Sequence, residues 1–159
     1  MHASLIASGG KVLDMASGPG RNACWLATQG FQVEAVDISA LAIAELAGLT
    51  GIETRIADLE NATWPYGVAE FDSIVVCRYL HRPLFPKIKQ SLKTGGVLIY
   101  ETFMQGQAKY GRPSNPDFLL MPGELEHIFG NGFSIRAFEQ GLLEHSPTAM
   151  LQRICAIKS

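Results

Sequence analysis

The chain has 159 residues, 47% of them hydrophobic, which suits one globular domain with a proper core and excludes a disordered chain. Its formal net charge is −2, so no global positive field would draw a nucleic acid. Three scattered cysteines, Cys24, Cys77 and Cys155, form neither CxxC pairs nor a disulfide framework. They point to a reduced, cytoplasmic setting without a structural metal. No apolar run approaches the length of a membrane span, and the N-terminus makes a poor signal peptide.

In chain order, residues 11–15 (KVLDM) read as a short buried strand, followed by a glycine turn over 17–20. A helix is predicted over 21–29, stopped by Gly30. Residues 31–37 alternate apolar and polar, the period of a second strand. Ser39 is a good N-cap for an Ala/Leu-rich helix ending near Gly48. A third strand over 52–56 runs into Ala57-Asp58-Leu59, and 61–69 reads as a loop. Residues 71–77 (FDSIVVC) have the apolar run of a strand covered on both faces. Pro83 suits a first helical position. Leu84, Phe85, Ile88 and Leu92 then follow at helical spacing, with Gly95-Gly96 as the stop. A fifth strand is predicted over 97–103, a long loop over 104–120 and a helix over 122–129. Two strands near 133–139 and 149–157 are joined by a connection over 143–148 too short for a helix, so they pair antiparallel. The expectation is an α/β, Rossmann-like three-layer sandwich: one domain over 1–159, its sheet seven-stranded and mostly parallel, with an antiparallel C-terminal hairpin.

The turn after the first strand carries the functional signal. A nucleoside-triphosphate loop needs GxxxxGK followed by Ser or Thr, which is absent. A dinucleotide fits better: Gly18, Gly20 and Ala23 match G-x-G-x-x-A, and Asp37 lies where a ribose-binding acid belongs. Those residues alone leave a nicotinamide-dinucleotide oxidoreductase open. Asp14 tips the balance. A carboxylate at the strand's end is awkward beside a pyrophosphate and suits a ligand with an ammonium group and no phosphate, such as S-adenosylmethionine.

On these residues the chain resembles the class I S-adenosylmethionine-dependent methyltransferases. The resemblance rests on D-x-A-x-G-x-G at 14–20, Val36-Asp37 closing the second strand and Ala57-Asp58-Leu59 after the third. It continues through FDSIV at 71–75 and LKTGGVL at 92–98. It implies that Asp14 faces the methionine ammonium, directly or through water. Gly18 and Gly20 would let the backbone approach the methionyl and ribose portions, while Ala16, also in the cofactor-binding turn, would narrow the approach to the methionine with its methyl group. Asp37, followed by Ile38, would accept both ribose hydroxyls. Asp58 would take the adenine amino group with Leu59 against the ring, and the backbone of Cys77 would border the methionine end. The turn DMASGPGRN also looks like the tellurite-resistance branch, which implies a small, soft or oxyanionic acceptor. Ala16 stands where that pattern has its first glycine.

The acceptor belongs over the carboxyl ends of the fourth and fifth strands. The Asn/Asp-Pro-Pro-aromatic tetrapeptide of amino-group nucleic-acid methyltransferases is missing there; Cys77-Arg78-Tyr79-Leu80 takes its place. Arg78, His81, Arg82 and Arg112 make the rim basic, suited to an anion, and His81, Tyr110 and Arg112 are the candidate catalytic residues. Only ten residues precede the first strand, where the family usually has a covering helical segment. Either the N-terminus is truncated, or the cofactor is loosely covered, or a second subunit of a homo-oligomer covers it. Two readings therefore compete: a small-molecule methyltransferase, and a non-catalytic domain that keeps the fold and the pocket.

Overall fold

The structure, a computed structural model, describes residues 2–143 and 148–159. Among these residues the strands are β1 (Lys11–Met15), β2 (Gln32–Asp37), β3 (Ile52–Ile56), β4 (Phe71–Cys77), β5 (Leu92–Phe103), β6 (Phe133–Leu143) and β7 (Ala149–Lys158). The helices are α1 (Arg21–Thr28), α2 (Ala40–Ala44), α3 (Phe85–Ser91) and α4 (Glu124–Gly130). The strands form one sheet in the order β3-β2-β1-β4-β5-β7-β6. β1 to β5 run parallel, and β7 runs antiparallel to both β5 and β6. This is the Rossmann-like sheet with a reversed C-terminal pair that the sequence predicts. Part of the predicted 143–148 connection lies outside the described residues.

Strand alternation divides the core between two faces. Leu13, Met15, Ile74, Val76, Leu98 and Tyr100 pack with α3 and α4 through Phe85, Ile88, Leu125 and Phe129. Val12, Val33, Ala35 and Val75 pack on the other face with Ala23 and Leu26 of α1 and Leu46 beyond α2. Asp14 falls on this second face by the same alternation. None of the described helices is long and apolar enough to cross a membrane.

Several boundaries differ from the sequence reading, and three of them have a physical reason. Ser39 caps α2 by accepting from the Ala42 N–H at 3.2 Å, yet the α-helix ends at Ala44. Beyond it the bonds tighten to three-residue turns, Leu46 N–H to Ile43 O at 3.0 Å and Ala47 N–H to Ala44 O at 3.4 Å. Leu92 opens β5 rather than closing α3. The Gly95-Gly96 pair forms an irregularity within the strand, where the pairing jumps from Phe71↔Leu92 to Ser73↔Val97. Gly95 has φ +78, and a Cβ on Gly96 would meet Leu92 Cδ2 at 2.7 Å. Finally, α4 starts at Glu124 behind Gly123, whose φ is +72.

One side chain ties the end of the loop after β5 to α4. Arg82 donates to both carboxylate oxygens of Glu124 at 2.6 and 2.9 Å, and to the carbonyls of Asp117 and Leu119 at 3.1 and 2.9 Å. The guanidinium fork expected on the anion-binding rim is thus committed to holding the 104–120 loop against α4.

Candidate functional site

The carboxyl ends of β1, β2 and β3 converge on a cavity of about 270 Å³. Ala16, Asp37, Ile38, Asp58 and Leu59 line it, five of the nine residues expected to touch the cofactor. They come from the connections that leave β1, β2 and β3, the first two leading into α1 and α2 and the third looping directly to β4, and a parallel sheet gathers such loops at the carboxyl ends of its strands. Ala57 also lines it, and Glu60, Asn61 and Tyr79 complete the wall. These three carry no motif of their own; the sole sequence signal was their position just after Asp58 and just after β4.

Asp37 ends β2 and organises the turn. Its Oδ2 accepts from the Gly18 N–H at 2.8 Å and its Oδ1 from the Ser39 N–H at 2.9 Å. A carboxylate has about four lone-pair sites, so each oxygen can still accept one more hydroxyl. Ile38 beside it is 65% exposed, an apolar side chain without cover at the cavity edge. Leu59 is nearly buried and belongs to the core. Asp58 is held by its own loop: Oδ1 accepts from the N–H groups of Glu60 and Asn61 at 3.0 and 3.1 Å, and Oδ2 from Asn61 Nδ2 at 3.1 Å. Those bonds keep its carboxyl below the usual carboxylate range.

The remaining cofactor candidates sit elsewhere. Asp14 lies beneath the turn, 1% exposed, and lines no wall of this cavity. Burial pushes its carboxyl up to about 7, against favourable contacts with the Ala23 backbone and the Asn22 side chain. Its Oδ2 has no hydrogen-bond partner among the described residues. An unsatisfied buried polar atom of this kind costs about 1–3 kcal/mol, and an ammonium group brought to it would remove that cost. Gly18 has φ +53 and open space where a Cβ would point. Gly20 has a reason of its own to be glycine: with φ +81, a Cβ there would lie 2.3 Å from Leu46 Cδ2. Ala16 takes φ +53 despite its side chain, a strained conformation next to the cavity. Cys77 sits at the end of β4 and its side chain faces a different cavity, of about 340 Å³, on the α1 face. There Sγ lies 4.0 Å from both Arg21 and Glu101, and burial pushes its thiol up.

The acids Asp37 and Asp58 and the exposed apolar edge of Ile38 make this cavity one that a nucleoside fits, with Asp14 buried beneath the same turn.

A further cavity, of about 530 Å³, adjoins the first and shares Glu60 and Tyr79 with it. Arg78, Phe103, Arg112 and Phe118 line it. Arg78 has φ +59; its N–H donates to Glu101 O at 2.8 Å and its guanidinium lies 4.5 Å over the Phe103 ring. The Tyr79 hydroxyl donates to Glu60 Oε1 at 3.1 Å, and burial raises its phenol. Of the three candidate catalytic residues, Arg112 alone lines this wall. Tyr110 is 49% exposed and lines neither cavity. His81 also lines neither; its Nδ1 is 3.7 Å from Glu60 Oε2, at the junction between them.

Solved structures share the architecture. TehB from Haemophilus influenzae superposes with a TM-score of 0.79 at 22% identity, over 99% of this chain and 60% of that one. The chain therefore spans about three-fifths of the length of that relative. A methyltransferase from Methanosarcina mazei, described as S-adenosylmethionine-dependent, matches with a TM-score of 0.77 at 18% identity, over 99% and 96% of the two chains. The (4+2)-cyclase SpnF has the same fold, with a TM-score of 0.77 at 17% identity, over 98% and 77%. No curated protein matches in sequence. The family model described as tellurite resistance protein TehB matches residues 1–129, and the chain belongs to that family, a branch of the class I S-adenosylmethionine-dependent methyltransferases.

Proposed function

We propose that the protein transfers a methyl group from S-adenosylmethionine to a small, anionic or soft acceptor. The observation that carries this reading is the convergence of Asp37, Ile38, Asp58 and Ala16 on one cavity, with the unpartnered Asp14 oxygen beneath the same turn. When bound, S-adenosylmethionine would supply an activated methyl group for the acceptor's lone pair, with the former S–CH₃ bonding pair left on sulfur. The protein's own work is then alignment and exclusion of water. Asp37 orients the ribose, Asp58 and Ile38 hold the adenine, and Asp14 fixes the methionine ammonium. Gly18 keeps the turn close to the ligand. Arg112, on the wall of the adjoining cavity, supplies a positive charge for the acceptor, and His81 and Tyr110 stand further out.

A second reading is a domain that binds S-adenosylmethionine without methylating. Ala16, strained at φ +53, favours it, and SpnF, named a cyclase, has the same fold. Release of S-adenosylhomocysteine from S-adenosylmethionine, measured over oxyanions, thiols, carboxylic acids and phenols, separates the two. Acceptor-dependent release with any of these supports the enzyme; tight cofactor binding with no release in every class supports the binding domain. A nicotinamide-dinucleotide oxidoreductase ranks third, because Asp14 would set a buried carboxylate near a diphosphate.

A further inference from the structure

The 530 Å³ cavity defines a narrower acceptor class than "anionic or soft". We infer that it binds a flat, apolar-bodied organic monoanion, an aromatic or conjugated carboxylate, in preference to a bare inorganic oxyanion. Its assignment as the acceptor side rests on the methyltransferase reading above.

Size is the first argument. Pockets for drug-sized organic ligands run about 300–1,000 Å³, and this one falls inside that range. A bare oxyanion would leave most of it to water. The lining is the second. Tyr79, Phe103, Phe118, Leu80 and Pro113 give the wall an aromatic and apolar character. Phe118 is 53% exposed, a ring without cover, so a flat apolar body placed against it removes apolar surface from water.

Charge is the third argument. Arg78 is already engaged, with Nε 3.5 Å from Glu101 Oε1, a carboxylate it shares with Arg153, and its guanidinium on Phe103. Arg112 has no ion-pair partner among the described residues. One uncommitted guanidinium on the wall matches one carboxylate. Glu60, also on the wall, opposes a second negative charge. Finally, the segment bearing Arg112 and Phe118 does not have to be ordered by the ligand alone. Arg82 holds the Asp117 and Leu119 carbonyls, and the Gln107 side chain donates to Arg112 O at 3.2 Å.

Calorimetric titration of the full chain with cinnamate, cinnamide and selenite, each with and without saturating S-adenosylhomocysteine, tests this. Cinnamate should bind at least tenfold more tightly than cinnamide or selenite. Arg112→Ala should bring cinnamate down to the cinnamide level while S-adenosylhomocysteine affinity stays within twofold. Phe118→Ala should weaken cinnamate and cinnamide alike. Selenite binding as well as cinnamate, cinnamide matching cinnamate, an unaffected Arg112→Ala variant, or no cinnamate binding at millimolar concentration would each overturn the inference. If S-adenosylhomocysteine fails to bind, the methyltransferase reading falls, but the titration without it still reports on the cavity.

Discussion

The Gly18 N–H donates to Asp37 Oδ2 at 2.8 Å, which ties the turn after β1 to the end of β2. The same carboxylate accepts from the Ser39 N–H, so one side chain shapes both loops that bound the candidate nucleoside cavity. Asp37→Ala therefore loses the diol acceptor and the brace together. S-adenosylmethionine affinity should fall at least tenfold, about 1.4 kcal/mol. Asp37→Asn, which keeps one acceptor oxygen, should lose less. Calorimetry on the two variants checks this, and equal affinity in Asp37→Ala and wild type contradicts it.

Asp14 trades stability for binding. Its folded pKa of about 7 lies above the ordinary carboxylate value of 3.8. Between those two values the folded protein keeps a proton that the unfolded chain has released. Stability therefore falls as pH rises through that window, by on the order of 4 kcal/mol, and then levels off. Asp14→Asn removes the buried charge and should flatten this slope, leaving the variant more stable than wild type at pH 8. Urea unfolding from pH 4 to 8 reads both effects. A wild-type slope of the opposite sign contradicts the assignment.

The same group gives cofactor binding a pH dependence. An ammonium pairs with the ionised carboxylate, so S-adenosylmethionine should bind more weakly as pH drops below about 7. In Asp14→Asn that dependence should vanish and affinity should be low throughout. A wild-type affinity constant from pH 5.5 to 8 would separate Asp14 from the ammonium.

Ala16 occupies a left-handed conformation, φ +53, that costs a non-glycine residue about 1–2 kcal/mol. Ala16→Gly relieves this but adds freedom to the unfolded chain, worth about 0.4–1 kcal/mol. The net expectation is a gain of roughly 0.5–1 kcal/mol in urea unfolding. A destabilised glycine variant would mean that the Ala16 methyl packs well enough to offset its strain.

The Arg82–Glu124 pair should matter at acid pH. The guanidinium keeps the Glu124 carboxyl below its ordinary value of 4.5. Its contribution is complete above that value and is lost as pH falls through the lower folded value. Arg82→Ala should destabilise the protein by about 1–2 kcal/mol at pH 7, since Arg82 is partly exposed while Glu124 is mostly buried. The difference from wild type should shrink at low pH. A difference that grows on acidification contradicts this.

How far the sequence discloses this molecule depends on the range of the interactions involved. The strand sequence KVLDM, the Ser39 cap and the apolar run FDSIVVC are local signals, and each forms the predicted element. Five of the nine residues given cofactor roles line one cavity because the ends of parallel strands gather their loops. Long-range packing was not legible. Nothing local says that Gly20 must clear Leu46, or that Gly95-Gly96 interrupts the β4–β5 pairing instead of ending a helix. Nor could a sequence reveal that Arg82 spends its donors on Glu124 and two carbonyls, since those partners lie 35 to 42 residues away. The acceptor side shares this limit: Arg112 and Tyr110 are two residues apart, yet Arg112 lines the cavity and Tyr110 does not.

Titration of the full chain with S-adenosylmethionine, S-adenosylhomocysteine and NAD tests the cofactor assignment most directly. The two sulfur nucleosides should bind with micromolar dissociation constants, about −8 kcal/mol, and NAD should give no heat. Tight NAD binding with none of either sulfur nucleoside would contradict it.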